Sequence, residues 1–327
     1  MALLELATLI IFTAMLAKSA SLVIDNATVL SRFFGISQIA LGMLLVSVST
    51  SIPELSVSVL SSAAHEGAIS AGNVFGSNIA NILLILGIGA LVHGYSVSRR
   101  DLAGIAMVLA ATTIISVYII FHTFIFGNAL GFAEGAVLLG VAAWYAYQLL
   151  HGDDPEKPHA LEKRVDRAAG LRAFSLFLFG IVLVLISSSI VVDSAVKISG
   201  ILGLSKSFIG ATVIAVGTSL PELSVDLTAI RRKKYSLALG DCIGSNMVNL
   251  TLVLGAAAVI NPINVTLSVF IAALLFAVIA NMVFFYLAAI KREFGRTEGA
   301  VLVLVYALYL VSIFYLQMRE ALAGGIA

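Results

Sequence analysis

Ten stretches of this sequence run for about twenty residues or more with few charges, and polar joints separate them. A helix needs about 20 residues to cross the roughly 30 Å hydrocarbon core of a bilayer. The stretches 3–24, 36–64, 69–92, 101–121, 128–150, 172–198, 205–230, 236–260, 265–290 and 297–318 therefore read as membrane spans. Several are longer than a straight crossing needs, so tilt or a break is expected in them. Glu5 stands where a cleaved signal would be basic, and the first stretch reads as a permanent span. Of the 327 residues 60% are apolar and 11% charged, against about 45–50% and about 25% in soluble domains. That balance excludes a soluble enzyme, a secreted disulfide scaffold and a nucleic-acid-binding domain. The net charge of +1 offers a polyanion nothing to bind, and Cys242, the one cysteine, has no internal partner.

Basic residues set the orientation. The joints after odd-numbered spans hold fifteen of them: Arg32; Arg99 and Arg100; Lys157, Lys163, Arg164, Arg167 and Arg172; Arg231, Arg232, Lys233 and Lys234; Lys291, Arg292 and Arg296. The opposite side holds Lys197, Lys206 and Arg319. The positive-inside rule then places the chain in a cell membrane with both termini extracellular and the 151–171 loop cytoplasmic. That loop is the only long polar stretch, and it divides the chain into 1–150 and 172–327, five spans each.

The two halves repeat at a displacement of 168 residues. T-S-I-P-E-L-S-V at 50–57 returns as T-S-L-P-E-L-S-V at 218–225, and G-N-V-F-G-S-N-I-A-N at 72–81 as G-D-C-I-G-S-N-M-V-N at 240–249. The same displacement pairs Asp25 with Asp193. An odd number of spans per repeat makes the second copy enter from the other side. The expected fold is an all-α integral membrane protein of ten transmembrane helices in two inverted five-helix repeats, a transporter architecture with its site near the midplane.

Pro53 and Pro221 lie inside spans at equivalent positions. Proline removes a backbone donor, so each T-S-x-P-E should mark a kink or unwound turn. Beside each proline is a glutamate, Glu54 or Glu222, about halfway along its span. A carboxylate there costs about 2.5–3.5 kcal/mol on insertion scales and normally meets a partner or a polar path. No Lys or Arg lies at matching depth, so the counter-charge is expected to be a bound cation. Thr50, Ser51, Thr218 and Ser219 supply hydroxyls one turn earlier. Asn73, Ser77 and Asn81 share a face of the following span, as do Asp241, Ser245 and Asn249. Carboxylates with hydroxyl, amide and carbonyl oxygens make an all-oxygen cage of the kind Ca²⁺ prefers. Trp144, Tyr145 and Tyr147 read as an interfacial belt.

The paired G-T-S-x-P-E and G-N-x-x-G-S-N-x-x-N/D motifs resemble the alpha-repeats of the sodium/calcium exchangers in the calcium/cation antiporter superfamily. The second copy is Gly217–Glu222 with Gly240–Asn249, and the first starts at Ser49 in place of the usual glycine. The resemblance implies exchange of Na⁺ for Ca²⁺ by alternating access, with no cofactor and no obligate protein partner. It makes Glu54 and Glu222 the central Ca²⁺ ligands. Thr50, Thr218, Ser51, Ser219, Ser77, Ser245, Asn81 and Asn249 would line the neighbouring ion sites. Asp241 stands where the motif usually has Asn, and Asp226 lies one turn after Glu222 where the first copy has Ser58. Asp241 is carried as a further ion-binding candidate. The two aspartates also leave open a Ca²⁺/H⁺ antiporter on the same fold. A remoter alternative is an intramembrane aspartyl hydrolase, which would need a second aspartate facing Asp241.

Overall fold

The computed structural model describes residues 2–65, 67–126, 130–151, 165–201, 215–263 and 267–324. In chain order the elements are α1 (Ala2–Phe34), α2 (Gln38–Thr50), α3 (Ile52–Ala63), α4 (67–92), β1 (Tyr95–Ser96), α5 (Arg99–Phe126) and α6 (Phe132–His151). Then follow α7 (Arg167–Ile201), α8 (Ala215–Thr218), α9 (Leu220–Arg231), α10 (Tyr235–Ile260), α11 (Leu267–Ile290), β2 (Glu293–Phe294) and α12 (Arg296–Gly324). The chain is a mostly helical membrane protein. Among the described residues 7 helices are long and apolar enough to cross a bilayer, or 8 if α2 and α3 form one bent span. The span expected over 205–230 falls partly outside the described residues, as does most of the 151–171 loop.

α1 outruns its expected end at residue 24, because its polar residues are satisfied without leaving the helix. Asn26 Nδ2 donates to the Leu22 carbonyl at 2.8 Å, and Asp25 pairs with Arg232. Asp193 likewise pairs with Lys197 one turn on, at 2.7 Å. Of the expected aromatic belt, Trp144 and Tyr147 are exposed but Tyr145 is buried: consecutive residues on a helix point about 100° apart, so the three cannot all face lipid.

The chain forms two compact units, and each draws on both halves of the sequence. The first comprises Met1–Pro53 and Ala146–Ser245. Its frame is the antiparallel pair α1 and α7, matched at Glu5 with Lys197 (3.7 Å), Val23 with Gly180 and Phe33 with Gly170. Against it α2 and the start of α10 approach backbone to backbone: a Cβ on Gly240 would collide with Ile39, and one on Gly244 with Met43.

The second unit comprises Glu54–Tyr145 and Asn246–Ala327. Here α4 meets α12 where a Cβ on Gly299 would lie 2.7 Å from the Gly87 carbonyl oxygen, and α6 meets α10 where one on Gly135 would lie 2.8 Å from that of Gly255. β1 and β2 pair antiparallel, Tyr95 opposite Phe294, and an antiparallel bridge joins Leu130 to Ile263. A shift of 168 takes Gly87 to Gly255 and Tyr95 to Ile263, and a shift of 164 takes Gly135 to Gly299 and Leu130 to Phe294. Each contact therefore occurs twice, with the two halves exchanging roles. His65 and Lys233, also 168 apart, both take left-handed backbone (φ 64° and 59°) in the turns that leave α3 and α9.

Candidate functional site

Both proline motifs break their helices at the same residue. Ser51 (φ −80°, ψ 11°) separates α2 from α3, and Ser219 (φ −87°, ψ 12°) separates α8 from α9. The bend at Ser51 is 47°. Pro53 and Pro221 then fall at the second position of α3 and α9, where a missing N–H costs nothing within the new helix. The break brings Glu54 and Glu222 into the first turn of those helices, the end at which the helix dipole favours negative charge.

In the first unit Glu222 is buried, and Ser51 Oγ donates to its Oε1 at 3.3 Å. Thr50 Oγ1 donates to Asp241 Oδ1 at 3.2 Å, and Ser245 Oγ reaches the same oxygen at 3.5 Å. The Asp226 carboxyl lies within reach of that of Asp241, and both are fully buried. Thr218 ends α8 half-buried, and Ser219 at the break is buried.

In the second unit Glu54 is buried and accepts from Ser77 Oγ at 3.2 Å. Asn73 Nδ2 donates at 3.0 Å both to the Glu54 carbonyl and to Ser58 Oγ, tying α4 to the first turns of α3. Asn78 and Asn246 exchange amide-to-carbonyl bonds of 3.2 and 3.1 Å. Around them, Asn81 Nδ2 donates to Asn246 Oδ1 and Asn249 Nδ2 to Asn78 Oδ1, each at 3.1 Å. The side-chain oxygens of Asn78 and Asn246 thereby accept within the same network that their nitrogens donate into. Asn81 and Asn249 also sit in π-helical segments, Ala80–Ile85 and Asn249–Val253, a local widening often found at functional sites.

The structure thus gathers Thr50, Ser51, Glu222, Asp241 and Ser245 in one unit and Glu54, Ser77, Asn81 and Asn249 in the other. Asn78 and Asn246 both stand in the repeated G-S-N at the common displacement, which is the signal that marks them in the sequence. Asp226, one turn after Glu222, lies opposite Asp241. Among the described residues no three His, Cys, Asp or Glu side chains converge on a metal. The Asp226–Asp241 pair does supply the facing aspartates that a hydrolase would need.

Comparison with known proteins separates these readings. A family model described as "Sodium/calcium exchanger protein" matches residues 4–150 and 172–315. The inner membrane protein YrbG of Escherichia coli is 34% identical over 271 residues, covering 79% of this chain and 80% of its own. The sodium/calcium exchanger MaX1 of Methanosarcina acetivorans is 29% identical, covering 92% of this chain and 96% of its own. Among solved structures, one of the sodium-calcium exchanger NCX_Mj superposes with a TM-score of 0.82 at 25% identity, covering 96% of this chain and 100% of that one. These relatives are named as exchangers or membrane proteins, so they lend the hydrolase reading of the aspartate pair no support. With a family model spanning nearly all of both halves, and a curated relative about a third identical over most of its length, the chain belongs to the sodium/calcium exchanger protein family.

Proposed function

We propose that this protein is a secondary antiporter that exchanges Na⁺ for Ca²⁺ by alternating access. The observation that carries the proposal is the pair of buried glutamates, Glu54 and Glu222, each in the first turn of a helix broken at a T-S-x-P-E motif and each accepting from a serine hydroxyl. Family membership supplies the ions.

Glu54 and Glu222 act as Ca²⁺ ligands. Thr50, Ser51, Ser77, Thr218, Ser219, Asn81, Ser245 and Asn249 contribute oxygens to the ion path, and Asp241 adds a carboxylate. With both glutamates ionised the path carries two negative charges, which one Ca²⁺ or several Na⁺ can neutralise. An empty path leaves charge buried without compensation, so the unloaded carrier changes face slowly and transport is held to exchange.

The architecture behind this mechanism is ten spans in two inverted repeats, 1–150 and 172–327, joined by the 151–171 segment. Its support is the set of contacts that recur with the halves exchanged: Gly87–Gly299 with Gly255–Gly135, Tyr95–Phe294 with Ile263–Leu130, and the reciprocal Asn78–Asn246 bonds. The fifteen basic residues at alternate joints support extracellular termini and a cytoplasmic 151–171 segment in the cell membrane.

The test is uptake of ⁴⁵Ca²⁺ into proteoliposomes loaded with Na⁺, against vesicles loaded with K⁺ or choline and against an imposed pH gradient. Uptake driven by the outward Na⁺ gradient alone is expected. Uptake that ignores Na⁺ and follows the pH gradient would overturn Na⁺ coupling.

A further inference from the structure

Two pairs of residues at equivalent places in the halves are built from different chemistry. On α3 and α4 the pair is Ser58 and Asn73, and the Asn73 amide donates to the Ser58 hydroxyl at 3.0 Å. A displacement of 168 converts Ser58 into Asp226 on α9 and Asn73 into Asp241 on α10. These two also face each other, now as carboxyls. A neutral donor and acceptor have been replaced by two groups that, when ionised, can only accept.

Their surroundings do not supply what has been lost. Both aspartates have 0% exposure. Thr50 and Ser245 serve one oxygen of Asp241, Oδ1. Apart from the facing carboxyl, Asp241 Oδ2 and both oxygens of Asp226 have no hydrogen-bond donor among the described residues. Glu222, the other acid close by, adds negative charge rather than relieving it. Buried carboxylates are kept when they are paired or coordinate a metal. The hydroxyls of Thr50 and Ser245 each donate one hydrogen and keep lone pairs, so the place offers carboxylate and hydroxyl oxygens together.

We propose that Asp226 and Asp241, with Thr50 and Ser245, form an additional cation site in the second half of the sequence, of the hard-oxygen chemistry that suits Na⁺ or Ca²⁺. The first half, with Ser58 and Asn73 hydrogen-bonded to each other, has no equivalent pair of carboxylates. The proposal deepens the antiport reading and rests on it for the choice of ions. It makes the ion capacity of this chain larger than the glutamates alone would give.

The experiment is equilibrium binding of ²²Na⁺, and separately of ⁴⁵Ca²⁺, to the purified full-length protein in detergent. Wild type is compared with D226S/D241N, which copies the Ser58–Asn73 pair that the fold already accommodates. D226S alone leaves the Thr50 and Ser245 bonds to Asp241 in place and reads out the second carboxylate. D226N keeps the side-chain volume, should either serine variant fail to fold. The expected result is about one fewer Na⁺ bound per chain, or Ca²⁺ affinity roughly tenfold lower, in every variant that keeps its thermal transition. Which ion changes identifies the occupant. Unchanged binding of both ions overturns the proposal, as does an effect confined to proton release, which would mean the two carboxyls share a proton. Wild-type protein that binds neither ion would instead sink the antiport reading itself.

Discussion

Glu54 and Glu222 could be singled out before any coordinates, because a carboxylate halfway along an apolar span has to meet a counter-charge or a polar path. Both are buried, and each accepts from a serine hydroxyl. Replacing either with alanine should reduce Na⁺-driven ⁴⁵Ca²⁺ uptake to that of empty liposomes while leaving the thermal transition of the purified protein in place; near-normal exchange in E54A or E222A would remove them as ligands. The asparagines were less legible. A G-S-N tripeptide gives its serine and asparagine the same claim to attention, and only the direction of the helix face shows that Asn78 and Asn246 bond to each other rather than lining a path. Because each also accepts from the neighbouring asparagine amide, N78A and N246A should both strand a buried donor, at a cost of about 1–3 kcal/mol each. Matched falls in thermal midpoint are expected. A large fall in one and none in the other would contradict the reciprocity of the network. Asp226 illustrates a different obstacle: its position relative to Asp241 follows from the same displacement as the motifs, but that these positions face each other emerges only from the packed helices, in the Ser58–Asn73 hydrogen bond and in the two carboxyls themselves.

Among the helices, the breaks at Ser51 and Ser219 follow from the prolines two residues on, since a residue without an N–H is placed most cheaply in a first turn. The π-helical segments at Ala80–Ile85 and Asn249–Val253 have no such marker in composition, and their matching positions emerge only from the backbone. Glycines recur in the motif helices, but which of them touch a neighbour depends on helix rotation. G240A and G299A should destabilise the protein by about 1–3 kcal/mol each, since the added methyl meets backbone rather than a movable side chain. A methyl added at Gly140, in the middle of α6, would meet no atom of another element within 4 Å among the described residues, so G140A should be neutral or stabilising by up to about 1 kcal/mol. Thermal unfolding of the three variants in one detergent checks the ordering, and a G240A protein as stable as wild type would mean that α2 and α10 are not held at backbone contact.

The displacement of 168 residues makes a two-half plan visible in the sequence, yet each compact unit takes segments from both halves. Sequence similarity reports which segments descend from one another, whereas packing depends on which apolar faces find each other, and only the second decides what folds together. Expressed as separate chains, 1–151 and 165–327 should therefore be poorly recovered alone and should co-purify when produced together; a half that is monodisperse and folded by itself would argue against this interdependence. On the inverted-repeat reading, the exchanged contacts at Gly87 and Gly299, Gly255 and Gly135, and across the two small β bridges also constrain ancestry. A forebear of half this length could have satisfied them only against a second copy of itself inserted the other way up. Such a chain must cross the membrane in both orientations, so its basic residues could not have favoured one side. The lopsided lysines and arginines of the present chain then date from after the fusion, when a single orientation was enough to supply both halves of every contact.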